Sequence, residues 1–208
     1  MLTAAGAWGT VAAGIQEKDR PMTLSRALFP AMSALQQLSL AVAGSLFIAI
    51  AAQVSVPMFP VPMTLQTLAI LIVGLTFGAR LGAATLALYL AEGAIGLPVF
   101  ANGQGTLAYM MGPTGGFLLG FVGMAWLAGL AAERGIAKGF FGTATAALVA
   151  AGLLYLPGVA WLAAVTPLDL GGAVQAGMLP FLAGDVVKAV LAALVVSGGW
   201  AALKRRRG

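Results

Sequence analysis

The chain contains no cysteine and no histidine, and only 8% of its 208 residues are charged. Without cysteine there is no disulfide and no thiol nucleophile. Without histidine there is no imidazole base, and the usual Cys/His ligand sets for zinc and haem are lost. The six acidic residues, Glu17, Asp19, Glu92, Glu133, Asp169 and Asp185, are scattered, so no carboxylate cluster marks a metal site. Nucleotide motifs are missing too. Gly112-Pro113-Thr114-Gly115-Gly116 has neither the Lys-Ser/Thr ending of a phosphate loop nor the strand context of a dinucleotide fold. No nucleophile–base pair is visible, which argues against an enzyme, and no cofactor is implied. If ATP drives any process here, a partner supplies it.

What the chain has in abundance is apolar surface. Residues are 61% hydrophobic and the mean hydropathy is +0.99. A soluble domain carries about 25% charged residues, so the composition is that of an integral membrane protein. Its 29 glycines suit helices whose backbones approach closely in lipid. Hydropathy draws six spans, at about 33–53, 64–79, 81–97, 113–132, 140–161 and 178–203, most of them near the ~20 residues that cross the hydrocarbon. The second and third are short. Arg80 and the glycines of Gly78-Ala79-Arg80-Leu81-Gly82 favour a turn between them, and so a helical hairpin.

The basic residues give the orientation. Lys18, Arg20 and Arg26 precede span one, Arg80 follows span two, Arg134 and Lys138 follow span four, and Lys204 to Arg207 end the chain. Ten of the eleven Lys and Arg thus fall on one side of a six-span arrangement, and the loops at 54–63, 98–112 and 162–177 hold none. By the positive-inside rule both termini are cytoplasmic. The net charge of +5 follows topology and does not form a nucleic-acid patch. The expected fold is an all-α integral membrane protein of six transmembrane helices. Residues 1–30 form a cytoplasmic or interfacial extension and residues 31–208 a single transmembrane domain. Met1–Gln16 has no basic start before its apolar part, so it does not read as a cleaved signal peptide.

The eleventh basic residue, Lys188, lies inside span six, three positions after Asp185. In water such a pair is ordinary. Near a bilayer centre each charge costs about 2.5–3.5 kcal/mol, and desolvation can outweigh the attraction of a buried pair. Both residues are therefore candidates for binding or transport. Glu92 and Tyr89 share a face of span three, with Glu92 either pairing with Lys188 or lying at the outer interface. Gln66 at the outer end of span two can offer an amide. Asn102 and Gln104 can do so from the outer loop. The apolar, Pro-rich loop Val56-Pro57-Met58-Phe59-Pro60-Val61-Pro62-Met63 and the loop from Pro98 to Gly105 read as a lid over an outward-facing pocket. Pro113 suits the first turn of span four. Ala41, Ser45 and Ala49 make a small-residue stripe on span one, for packing against a partner helix or within the bundle itself.

Four runs together resemble a known family: Val61-Pro62-Met63-Thr64-Leu65-Gln66-Thr67-Leu68; Gly93-Ala94-Ile95-Gly96-Leu97-Pro98-Val99-Phe100-Ala101; Gly112-Pro113-Thr114-Gly115-Gly116-Phe117-Leu118-Leu119-Gly120-Phe121; and Pro180-Phe181 with Gly184-Asp185-Val186-Val187-Lys188. From about residue 38 to 200 the chain closely resembles the BioY family, the biotin-specific S components of energy-coupling factor transporters. The resemblance implies a six-helix S-component bundle in the bacterial inner membrane with a vitamin pocket near its outer face. It implies partners as well, a transmembrane T component and two ABC-type ATPases. It moves the stripe on span one, Ser45 and Ala49 especially, towards the T-component contact. It implies that Asp185 and Lys188 bind the ligand, with Asn102 and Tyr89 nearby. A ureido ring presents two N–H donors and one C=O acceptor. A carboxylate can take the donors, and an ammonium can serve either the carbonyl or the valerate carboxylate, as charge-assisted hydrogen bonds. The competing expectations are a self-contained, proton-coupled secondary transporter using Asp185 or Glu92, and a membrane enzyme acting on lipid. The lack of histidine, cysteine and a carboxylate motif counts against the enzyme.

Overall fold

A computed structural model describes residues 23–29 and 31–207. Helices run over Leu24–Leu28 (α1), Ala34–Gln53 (α2), Gln66–Phe77 (α3), Ala79–Ala94 (α4), Leu107–Met110 (α5), Gly115–Glu133 (α6), Phe140–Val165 (α7), Leu170–Gly177 (α8) and Leu182–Arg207 (α9). A two-stranded antiparallel ribbon pairs Ser55–Val56 (β1) with Met63–Thr64 (β2). Each of the six apolar runs contains one helix. By length and hydropathy, α2, α6, α7 and the helical stretch Leu170–Arg205 are able to cross a membrane, and α3 is a shorter apolar helix. At 1.5 Å per residue, the 12 residues of α3 rise only about 18 Å.

Helix α6 is the hub, packed against α3, α4 and α7, while α9 closes the bundle against α7 and α3. Small residues make this possible. Ala125 and Ala128 of α6 are fully buried, and a side chain at Gly129 would strike the backbone of Gly78 and Ala79. The turn expected over residues 78–82 contracts to Gly78 alone, whose φ of 90° only glycine adopts easily. Arg80 and Gly82 already lie within α4. That helix starts under a cap from another element, because Glu133 Oε1 accepts from Ala79 N at 3.1 Å and so satisfies one of the orphan N–H groups of a helix start. Ser33 and Gln36 form a reciprocal capping box at the head of α2.

Most of the extension 1–30, including Lys18 and Arg20, lies outside the described residues. Of the remainder, α1 docks on the bundle: Thr23 is buried and Ser25 Oγ donates to the Phe77 carbonyl. Of the two roles open to the stripe on α2, packing within the bundle is the one seen here. Ala41, Ser45 and Ala49 are 5%, 1% and 8% exposed, and Ser45 Oγ donates to Glu92 Oε1 of α4 at 3.0 Å. In this conformation the stripe faces into the bundle and not towards a partner. The open side of α2 carries Leu35, Leu38, Val42, Leu46 and Ile50.

Candidate functional site

The N-terminal end of α9 is positioned by a short 3₁₀ turn, Leu179–Phe181, which holds Pro180. Asp185 therefore falls in the first turn of α9, where the helix dipole favours a negative charge. Lys188, one turn on, comes back to it. Its Nζ lies 3.4 Å from Asp185 Oδ1 and donates to Thr67 Oγ1 of α3 at 2.9 Å. On the other side of the carboxylate, the Tyr155 hydroxyl of α7 donates to Asp185 Oδ2. Asp185 and Lys188 are 9% and 6% exposed. Three helices thus converge on one acid–base pair, and the pair has hydrogen-bonding capacity to spare. An ammonium has three donors and an ionised carboxylate about four acceptor positions.

These groups line an inner chamber of about 60 Å³. Its apolar wall comes from Phe100, Phe117, Phe121, Leu154 and Phe181, and its polar lining includes Gln66, Thr67 and Tyr109. The aromatic rings are held by one another. Tyr89 meets Phe100 edge-on at 5.5 Å, Phe100 stacks on Tyr109 at 5.7 Å, and Phe117 meets Tyr155 edge-on at 6.3 Å. Glycine clears the space they occupy, since a side chain at Gly93 would strike the Phe100 ring and one at Gly158 the Phe117 ring. An outer chamber of about 340 Å³, lined by Pro57, Met58, Pro60, Asn102, Gln104 and neighbours, shares Pro62, Tyr109 and Thr114 with the inner one. The two loops read as a lid do wall these chambers. Val61 and Pro62 come from one, Phe100 and Ala101 from the other.

The six candidate residues separate into four groups. Asp185, Lys188 and Gln66 line the inner chamber. Tyr89 stands behind its wall, fully buried, with its hydroxyl accepting from Gln66 Nε2 at 2.7 Å and donating to the Val99 carbonyl at 2.8 Å. It fixes the wall and does not line the chamber. Asn102 lines only the outer chamber. Its φ of 58° is one that asparagine tolerates, and its Oδ1 accepts from Ser55 Oγ. Glu92 lines neither chamber. It accepts from Ser45 on the α2–α4 face, and of the two placements open to it the pairing with Lys188 is not the one this conformation adopts. Sequence reasoning missed Tyr155, Thr67 and Tyr109. A usable signal existed, because the chain has three tyrosines and all three stand in or behind the chamber wall. Among the described residues no cluster of three or more Asp, Glu, Cys or His is placed to hold a metal.

The BioY family model matches residues 20–205. The chain belongs to the BioY family. It is 36% identical over 148 residues to the biotin transporter BioY of Thermotoga maritima, covering 71% of this chain and 86% of that protein. To the probable biotin transporter BioY of Pyrococcus horikoshii it is 37% identical over 154 residues, covering 73% and 90%. Its fold is similar to the crystal structure of the S-component for biotin from an ECF-type ABC transporter, with a TM-score of 0.71, 25% identity, and coverage of 86% of this chain and 96% of that one. These relatives are transport components and not enzymes. With its apolar helices, this BioY-family chain is a multi-pass membrane protein.

Proposed function

We propose that this BioY-family protein is the membrane subunit that captures biotin at the outer face of a bacterial inner membrane, for uptake by an energy-coupling factor transporter. The observation that carries the reading is the buried Asp185–Lys188 pair in an aromatic chamber, in a chain of this family. An acceptor and a donor set side by side match a cyclic urea, which presents N–H and C=O groups on one small ring. The aromatic wall suits the thioether ring and aliphatic tail, as small-molecule pockets are mostly apolar with a few placed polar groups. Six spans with both termini cytoplasmic fit the segregation of Arg80, Arg134, Lys138, Lys204 and Arg205 from the chamber loops. A T component and two ABC-type ATPases supply the energy, and the subunit performs no chemistry of its own.

The test is a titration of the purified protein with biotin, thiamine and riboflavin, followed by tryptophan fluorescence. Trp161 is placed to report, since its Nε1 donates to the Gly112 carbonyl at the outer chamber. A response to biotin alone supports the reading, and equal responses to all three refute it. Uptake in cells without T component or ATPases separates out the proton-coupled alternative. Accumulation there that collapses with the proton gradient would favour it.

A further inference from the structure

Helix α2 has 20 residues and rises about 30 Å, the thickness of a bilayer's hydrocarbon. Its last residue, Gln53, therefore sits near the hydrocarbon boundary on the chamber side. The ribbon β1–β2 starts there, within the layer of lipid headgroups. Pro57, Met58, Pro60 and Pro62 of its loop line the outer chamber, so the loop lies across the chamber rim and does not project away from it. Phe59 is the exception. It is 95% exposed, more than any other large apolar side chain among the described residues, and it belongs to neither chamber lining.

A single exposed apolar residue needs no explanation, but Phe59 has company. Val54 and Val56 at the root of the ribbon are exposed, as are Ile95 and Leu97 ahead of the second loop. Gln53 and Ser55 bond that loop to the root of the ribbon, which brings the two sets together. Leu46 and Ile50 are exposed on α2, and positions 46, 50 and 54 share a helix face. The apolar band of the spanning helix thus continues onto the ribbon without a break. Residues 54–65 and 95–112 contain no charged side chain, so nothing in this rim resists contact with lipid.

We infer that the tip of the ribbon docks on the bilayer itself. Phe59, with Val54 and Val56, inserts among phospholipid acyl chains just beneath the headgroups, in the leaflet on the chamber side. The partner is lipid because the rim extends the face that α2 already turns to lipid. Uncharged apolar side chains at this depth are also the chemistry of interfacial anchors. Full burial of one large apolar side chain favours the buried state by roughly 10- to 100-fold, enough to hold a short loop. The ribbon therefore has two contacts, the chamber on one side and the leaflet on the other. The inference needs only that the chain spans a membrane, and it is independent of the ligand.

The experiment places a bimane label on Val56→Cys in the cysteine-free full chain, reconstituted at one copy per lipid nanodisc. Bimane on Gln104→Cys, at an exposed position of the second loop, is the reference. Two quenchers are compared: phosphatidylcholine with a nitroxide high on its acyl chain, and aqueous iodide. The ratio of lipid to iodide quenching should be at least about tenfold higher at the first position than at the second. Equal ratios would put the ribbon in water and overturn the inference. Adding Phe59→Asp should lower the ratio at the first position by about tenfold, whereas Phe59→Leu should preserve it. An unchanged ratio with aspartate, or an equal loss with leucine, would take the anchor away from Phe59 and overturn the assignment. A label shielded from both quenchers when several copies share a vesicle, yet open to iodide in the nanodisc, would mean that a second copy covers the rim. That result overturns the inference as well.

Discussion

Lys188 donates to Thr67 on one side and to Asp185 on the other, and Tyr155 donates to the far oxygen of Asp185. Removing one member therefore disturbs partners on three helices. Asp185→Asn should weaken biotin binding by at least ~2 kcal/mol, because a charged acceptor is lost from a desolvated site. Calorimetry on the folded variant checks this, and unchanged affinity would remove Asp185 from the ligand contacts. Tyr155→Phe keeps the ring that packs on Phe117 and deletes only the hydroxyl, so a smaller loss of about 1 kcal/mol is expected in the same titration. Lys188→Met leaves a buried carboxylate unpaired and should lower the melting temperature. Combined with Asp185→Asn it should recover stability but not binding, since a neutral replacement of a buried pair is often tolerated. Loss of stability that the double variant failed to recover would mean that the pair holds the fold as well as the ligand. The sequence marks Asp185 and Lys188 because charge in an apolar run is costly. It does not mark Tyr155 in the same way, because one phenol inside an apolar helix reads as core until a carboxylate is placed against it.

At the scale of elements, periodicity tells which residues share a face but not what covers that face. Ala41, Ser45 and Ala49 do share one, and α4 covers it, with Glu92 as the hydrogen-bond partner. The same limit applies to Tyr89 and Glu92, one turn apart on α4. Tyr89 turns to Gln66 and the chamber wall, while Glu92 turns to α2. The loops were more legible, since their prolines and glycines already point to stiff, shaped segments. Gln53 ties one of them down: its Oε1 accepts from Gly103 N at 2.9 Å, and its Nε2 donates to the Phe100 carbonyl at 3.0 Å. Gln53→Ala should speed biotin release several-fold in a stopped-flow chase with little change in melting temperature. An unchanged release rate would show that the loop needs no such tether. At the α3–α4 junction, Gly78→Ala should destabilise the fold by ~1–3 kcal/mol, the scale of strain for a side chain in a glycine-only backbone region. Thermal denaturation in detergent reads it, and an unaffected midpoint would show that the turn can relax.

For the whole molecule, the number of apolar runs was readable because lipid demands long uninterrupted helices. The way they pack was not, because small residues permit many close approaches. Their orientation is testable with single cysteines, which a cysteine-free chain accepts without background. In intact cells a membrane-impermeant maleimide should label Gln104→Cys, at the outer chamber, and should reach Lys138→Cys only after permeabilisation. The reverse pattern would invert the topology. The pairing within α9 also has an electrical consequence. A solitary Lys188 moved through the whole membrane field would involve about 2.3 kcal/mol of work per 100 mV. Asp185 rides on the same helix turn and cancels that charge, so movement of the pair along the membrane normal carries no net charge through the field. A cell's energisation can therefore rise and fall without pulling on the unoccupied site.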